Sequence, residues 1–178
     1  VVTDRNMQLM ALGLALPALV SLGRNDEAIV EFVDDSASKG MTEIPKTQRA
    51  SLYEWLVTAE LARGDVEAAR RWSHLAAASA DDVDMDLSTA AASRAAAAVS
   101  AACGEWSSAL SFASRAVSAA ERTGRPYELA ESLLLEGRIL IGTGQRESAV
   151  TRLESALKAF SDCGARGMVS QVRQRLRE

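Results

Sequence analysis

The chain has 178 residues and a formal net charge of −4, so its length suits one domain or one short repeat array, and its charge excludes a strong overall attraction for nucleic acid. Hydrophobic residues make up 48% of the chain, which excludes a disordered protein. Only 4% of the residues are aromatic, which disfavours a β-sandwich or barrel, whereas abundant alanine suits closely packed helices.

The N-terminal segment 9–22 (LMALGLALPALVSL) is apolar enough to be compared with a signal peptide or a membrane anchor. It is too short to span a bilayer comfortably, and Asp4 beside Arg5 replaces the basic region that a signal peptide needs. We therefore interpret the segment as a helix of a cytoplasmic protein with no membrane association. Because the chain begins with valine, we expect it to be an excised piece of a longer protein.

Four glycines recur along the chain at separations of 41, 40 and 40 residues. They are Gly23, Gly64, Gly104 and Gly144, and each is followed five residues later by an alanine: Ala28, Ala69, Ala109 and Ala149. A near-constant period with one local pattern predicts an internal repeat. Apolar residues at helical spacing flank each glycine, which predicts two helices per repeat joined at a glycine that takes the left-handed conformation.

The pattern predicts an all-α fold in which a single domain, 1–178, contains four helix hairpins and a C-terminal capping helix. The predicted pairs are 5–22 with 25–38, 46–63 with 66–79, 87–103 with 106–121, and 127–142 with 146–161. The corresponding repeats cover about 5–40, 46–80, 87–122 and 127–162, and the cap covers 165–177. Arg173, Arg175 and Arg177 give this cap the polar outer face that a terminal repeat needs.

Histidine and cysteine usage gives no sign of a catalytic constellation. His74 is the only histidine, and Cys103 and Cys163 have no CxxC spacing. The two cysteines are interpreted as reduced, partly buried small hydrophobic residues rather than as a disulfide or a metal pair. We therefore expect no catalytic residues, no metal site and no cofactor in this chain, and we do not expect it to be an enzyme.

The acidic run 81–86 (DDVDMD) invites comparison with a calcium-binding loop. Leu87 stands where an EF-hand requires glycine, and Ser93 stands where it requires glutamate. The run is therefore interpreted as a solvated acidic loop that caps the following helix.

The predicted hairpins resemble tetratricopeptide repeats. In the fourth unit, seven residues fall on the family's positions 4, 8, 11, 15, 20, 24 and 27: Leu133, Gly137, Leu140, Gly144, Ala149, Leu153 and Ala156. The resemblance implies a right-handed, tetratricopeptide-like α-solenoid in which the first helices line a concave face. The period exceeds the family's 34 residues by about six, which predicts longer loops between repeats.

On this repeat numbering, positions 2, 5, 9 and 12 of each first helix face inward. The candidate residues for binding a ligand or partner on the concave face are Ser51, Glu54, Thr58, Arg94, Glu131 and Arg138. Such a surface suits a peptide, a protein or a small-molecule inducer. In the alternative interpretation, Glu131 and Arg138 are solvated charges that pair between neighbouring repeats and contribute little.

A narrower resemblance covers roughly the last 55 residues. The motifs occur in the order RPYE at 125–128, LLLEGR at 133–138, GQR at 144–146, LESAL at 153–157 and GAR at 164–166. This order is similar to the C-terminal repeat region of large LuxR-type, MalT-like transcription regulators of actinobacteria. In that family, an ATP-binding module precedes the helical repeats and a helix-turn-helix domain follows them.

The chain has no GxxxxGK[ST] sequence and no DNA-binding module, so neither ATP hydrolysis nor direct nucleic-acid binding is assigned to it. The resemblance implies a non-catalytic sensor or protein-interaction domain that transmits ligand or partner binding to a DNA-binding domain outside this chain. Its further partners would be the other domains of the parent regulator. A homodimer is a further alternative, because the ends of an alanine-rich solenoid can stack. The alternative is a free-standing tetratricopeptide adaptor that binds a peptide or protein.

Overall fold

The computed structural model describes residues 15–36 and 44–176, and over these ranges the chain forms helices and turns without any strand. Helix α1 is described from 15 to 21. The predicted start of this helix, the loop between the first two repeats up to residue 43, and Arg177 of the cap lie outside the described ranges. The all-α prediction is confirmed for the part that is described.

Eight further helices follow α1 within the described part of the chain. They are α2 (Asn25–Ser36), α3 (Lys46–Arg63), α4 (Val66–Asp81), α5 (Asp86–Ala102), α6 (Trp106–Thr123), α7 (Pro126–Gly142), α8 (Arg146–Asp162) and α9 (Arg166–Arg175). Their boundaries lie within two residues of the predicted ones wherever both ends are described.

From Gly64 to Gly164, residues with positive φ occur every 20 residues, in the turns between helices. Gly23, Gly64, Gly104 and Gly144 have φ angles of 74°, 83°, 74° and 77°, which confirms the predicted turn within each hairpin. The turns between hairpins use the same device, with Gly124 and Gly164 in the left-handed region. Position 84 of the same series holds Asp84 at φ 45°, a conformation that aspartate tolerates better than most residues.

The connections between the second, third and fourth hairpins are short, so the prediction of longer inter-repeat loops is wrong there. Most of the connection between α2 and α3 lies outside the described residues. Residues 82–85 join α4 to α5, and Gly124 and Arg125 alone join α6 to α7. Helices α3 to α8 instead have 16 to 18 residues each, and this length accounts for the long period. The acidic run is therefore mostly a turn, and Met85, the residue before α5, makes no side-chain capping bond.

Each helix packs against its neighbours in sequence, and α3, α5 and α7 also contact one another in that order. Among the described helices, α4, α6 and α8 show no comparable contact with each other. The array therefore curves with α3, α5 and α7 on its inner side, an arrangement consistent with an α-solenoid. We call these three helices the inner layer.

Small residues allow the close helix contacts inside each hairpin. Ala28, Ala69, Ala109 and Ala149 are each at most 1% exposed, so these four residues lie at buried contacts between helices. Gly137 marks a close approach of α7 to α8, since a Cβ there would lie 2.9 Å from Cγ and Cδ2 of Leu153. The inner layer is thereby held at fixed distances from the outer helices.

Candidate functional site

The most deeply buried basic side chain of the inner layer belongs to Arg94, which is 5% exposed. Arg94 is the only basic residue of α5, a helix composed mainly of alanine and serine. Because these small side chains leave space toward α3 and α7, the long arginine side chain reaches both neighbouring helices. A charge buried this deeply requires partners for all its donors.

Arg94 forms a bidentate salt bridge with Glu54 of α3, in which Nε donates to Oε1 at 2.5 Å and Nη2 donates to Oε2 at 2.8 Å. Nη2 also donates to Oε2 of Glu128 on α7 at 2.9 Å. Nη1 donates to Oγ of Ser132 at 3.1 Å and to the Glu128 carbonyl oxygen at 3.5 Å. All five N–H groups of the guanidinium are thus engaged, and one side chain joins three successive first helices.

Glu131 is the third carboxyl group at this site and has no guanidinium hydrogen bond. Its Oε2 lies 3.9 Å from Nη2 of Arg94, beyond hydrogen-bonding distance. The phenol of Tyr127 lies near Glu131 and interacts with its carboxyl group. We call the residues Glu54, Arg94, Glu128, Glu131 and Ser132 the Arg94 cluster.

The Arg94 cluster contains three carboxyl groups and one guanidinium, so full ionisation would leave two surplus negative charges. Burial, followed by repulsion from Glu54, raises the pKa of Glu131 to about 7 against the attraction of Arg94. Burial opposes the charge of Arg94, but the surrounding carboxylates raise the pKa of this arginine above its ordinary value. Burial also raises the pKa of Glu54, against the attraction of Arg94. Glu131 therefore exchanges a proton near neutral pH in a site that it shares with Glu54, while Arg94 remains charged.

Tyr127 completes the edge of the cluster at the start of α7. Burial and the neighbouring carboxyl group of Glu131 raise the pKa of the Tyr127 phenol to about 12. The Tyr127 ring packs edge-on against Phe160 of α8, with centroids 5.6 Å apart. The Tyr127 side chain beside Glu131 is thus positioned by a core aromatic residue.

The predicted site residues divide into two groups. Glu54, Arg94 and Glu131 come together in the Arg94 cluster. Ser51 and Thr58 flank Glu54 on α3, where Ser51 is half-buried and Thr58 is exposed, with its hydroxyl donating to the Glu54 carbonyl oxygen at 3.1 Å. Arg138 lies two turns beyond Glu131 on α7, is exposed, and lines a pocket outside this cluster.

Glu128 and Ser132 belong to the site but are absent from the sequence prediction. The prediction assigned inward positions 2, 5, 9 and 12 only, whereas Glu128 precedes Glu131 by three residues and thus lies on the same helical face. Extending the three-residue spacing back into the first turn of α7 would have identified Glu128. Nothing in the sequence singles out Ser132, which is fully buried as a partner of Arg94.

A second buried carboxylate, Glu136, lies on the side of α7 that faces the outer helices. Its Oε1 accepts a hydrogen bond from Oγ of Ser114 on α6 at 2.8 Å. Its Oε2 lies 2.9 Å from Nε of Arg152 on α8, which forms an ion pair. Polar contacts therefore fix α7 on both its inner and its outer side.

A pocket of about 290 Å³ lies between α7 and α8, beside the residue that follows α9. Its lining combines two basic side chains with aliphatic ones: Arg138, Ile141, Arg146, Ala149, Val150, Leu153 and Leu176. Leu153 forms a buried floor, whereas Ile141 and Val150 are 47% and 38% exposed.

The residues considered for catalysis or metal binding lie apart from these sites. His74 is exposed on α4. Cys103 and Cys163 are free and exposed, so the prediction that they are partly buried is wrong. They occupy the ends of α5 and α8, where the helix terminates in a turn open to solvent. Within the described ranges, no group of three histidine, cysteine or acidic residues is placed to hold a metal ion.

Comparison with known proteins gives no match: no protein-family model fits the chain, and no curated protein is significantly similar to it. Over the described residues, no helix combines the length and the apolar character needed to cross a membrane.

Proposed function

We propose that this chain is a non-catalytic sensor or protein-interaction module, a right-handed tetratricopeptide-like solenoid from a LuxR-family transcription regulator. The observation that supports this proposal is the position of Arg94, a single buried guanidinium that bonds the first helices of three successive repeats. A ligand on the inner layer would contact the same three helices. Its binding would therefore act on a connected unit rather than on one helix.

The mechanism is a shift in the packing of the inner layer. Moving α3 or α7 relative to α5 would lengthen the bonds from Arg94 to Glu54 or Glu128. Breaking a buried ion pair of this kind costs about 3–5 kcal/mol, so the helices move together or remain in place. A ligand that binds one packing better than the other shifts the balance by no more than the difference between its two affinities.

The LuxR assignment rests on the sequence resemblance of the motifs, two of which also have structural roles in this fold. The RPYE motif begins α7 and contains both Tyr127 and Glu128, which border and form the Arg94 cluster. The LLLEGR motif contains Gly137, which allows the close approach of α7 to α8. These motifs therefore belong to the part of the array that joins the inner layer to its C-terminal end.

Binding on the inner layer can be tested with a thermal-shift screen of metabolites and peptides that compares two variants. Thr58→Trp places a large side chain on the exposed face of α3 beside Glu54. Thr151→Trp is the matched control, since Thr151 is an exposed helical threonine on α8 whose hydroxyl bonds the Glu147 carbonyl oxygen at 3.2 Å, as that of Thr58 bonds Glu54. We expect ligands that stabilise the wild type to lose their effect with Thr58→Trp only. Equal effects on all three proteins would contradict an inner-layer site.

The regulator assignment has a separate test in the coding sequence beyond Glu178. A helix-turn-helix domain in the same reading frame supports the regulator. A stop codon soon after Glu178 supports the free-standing adaptor instead, and it leaves the binding test on the inner layer unaffected.

A further inference from the structure

The apolar packing of the inner layer is thin where the third hairpin meets the fourth. One large cluster of buried apolar side chains extends from Leu16 of α1 to Val99 of α5, and a second extends from Val117 of α6 to Val172 of α9. The contact of α5 with α7 is less extensive than its contact with α3. Because α5 consists mainly of alanine and serine, it buries little apolar surface against α7.

The Arg94 cluster lies at this junction and supplies polar contacts where apolar ones are few. Arg94 of α5 bonds Glu128 and Ser132 of α7 on one side and Glu54 of α3 on the other. The side chains of Glu54, Glu128 and Glu131 are each about one-fifth exposed, so the cluster is in contact with solvent. One guanidinium thus serves three carboxyl groups, and an ionised Glu131 would repel both of the carboxylates that Arg94 bonds.

Charged and titratable groups surround Glu131 from three helices. They are Glu54 of α3, Arg94 of α5, and Glu128 and Tyr127 of α7 itself. Burial and the repulsion from Glu54 outweigh the attraction of Arg94, so the pKa of Glu131 is raised to about 7. On the outer side of α7, Arg152 of α8 is paired with Glu136 instead.

We propose that the inner side of the junction between the third and fourth hairpins is a pH-sensitive joint, which is closed while Glu131 carries a proton and opens when Glu131 is ionised. In the open state, α7 moves away from α5 and water solvates the charge of Glu131. The outer side stays closed, because Val117 of α6 and Leu133 of α7 share an apolar cluster. Opening therefore changes the curvature of the array at one place.

This inference rests on the proposed function, since it assigns a form of regulation to the same inner layer. A ligand that contacts α3, α5 and α7 together fits the spacing of one state better than that of the other. Its affinity would consequently change with pH by no more than the difference between its affinities for the closed and the open joint.

Distances between two spin labels, measured by electron paramagnetic resonance on the full chain, test the joint. The background carries Cys103→Ser and Cys163→Ser, since both cysteines are exposed. Labels are attached through Thr58→Cys on α3 and Ile141→Cys on α7, two exposed positions. Between about pH 5.5 and 8.5 we expect this distance to lengthen by about 2 Å, the size of a common helix shift, with its midpoint near pH 7.

The control pair, Thr58→Cys with Ala102→Cys, joins α3 to the exposed end of α5 and does not cross the joint. Its distance should stay the same at every pH. Glu131→Gln cannot ionise, so it should keep the distance from α3 to α7 at its short value throughout. Glu147→Gln is the matched control for this variant, because Glu147 is exposed on α8, and it should retain the wild-type transition.

Circular dichroism establishes that each labelled protein is folded at each pH, and the two label pairs decide the question alone if Glu131→Gln does not fold. The proposal is overturned if the distance from α3 to α7 does not lengthen, if it lengthens equally in Glu131→Gln, or if both label pairs change alike. Such a result leaves the comparison of Thr58→Trp with Thr151→Trp unaffected, so the joint and the inner-layer binding site are tested separately.

Discussion

Replacing Glu131 with glutamine removes the carboxyl group of the Arg94 cluster that lacks a guanidinium hydrogen bond. Glutamine has nearly the same shape as protonated glutamate but cannot ionise. The wild-type group titrates at about 7 in the folded chain, against an ordinary value of 4.5 that applies to the unfolded chain. Comparison of the two proteins therefore measures the effect of ionising Glu131, including its repulsion of Glu54, inside the fold.

The direction in which stability changes with pH follows from the two pKa values of Glu131. The folded chain binds the Glu131 proton more tightly than the unfolded chain. The contribution of this proton to the stability of the fold is therefore fully present below pH 4.5, and it is lost as the pH rises through about 7. At about 1.4 kcal/mol per pH unit, the gap between the two pKa values corresponds to roughly 3 kcal/mol of unfolding free energy. We expect Glu131→Gln to match the wild type near pH 4.5 and to exceed its stability by up to about 3 kcal/mol at pH 8.

Urea unfolding followed by circular dichroism, repeated at steps from about pH 4.5 to 8, measures this difference. Glu154→Gln is the control, since Glu154 is exposed on α8. The control should follow the wild-type pH dependence. If the difference in stability between Glu131→Gln and the wild type stays constant across this range, ionisation of Glu131 does not destabilise the fold.

Three further changes test the packing of the array, each by its effect on the free energy of unfolding in urea. Arg94→Met should destabilise the fold by about 3–5 kcal/mol because it leaves buried carboxylates unpaired, and a loss below about 1 kcal/mol would show that the ion pairs do not hold the inner layer. Gly137→Ala should cost about 1–3 kcal/mol through its clash with Leu153, but it should cost nothing further in a Leu153→Ala background, and additive losses would contradict the clash. Asp84→Gly should stabilise the chain by about 1 kcal/mol because the residue has φ 45°, and a destabilised variant would show that the aspartate side chain has a role of its own.

The sequence predicts the turns well because their cause is local. A left-handed residue at a helix end strongly favours glycine, and five of the six inter-helix turns from Gly64 to Gly164 contain one with positive φ. The turn at position 84 does not show this glycine signal, because Asp84 takes the left-handed conformation there. The short connections were missed for a different reason: a repeat period gives the sum of helix and loop but does not divide it between them.

The candidate site was predicted only in part because its geometry depends on three helices at once. The repeat numbering of the tetratricopeptide resemblance placed Glu54, Arg94 and Glu131 on one side of the array. The burial of Arg94, however, depends on how closely α3 and α7 approach an alanine-rich α5. The pocket depends on the position of Leu176 beside α8, and no local pattern reports where the end of α9 lies.

The Arg94 cluster also determines the order in which repeats can follow one another. Successive first helices carry Glu54, Arg94 and Leu134 at the same repeat position, so each helix has a different chemical requirement for its neighbour. Exchanging two hairpins, or deleting the one that contains α5, would bury acidic groups without a counter-ion. Insertion of an identical second copy of a hairpin next to α5 would therefore disturb this charge pairing. The inner helices form a fixed series, and their hairpins are not interchangeable.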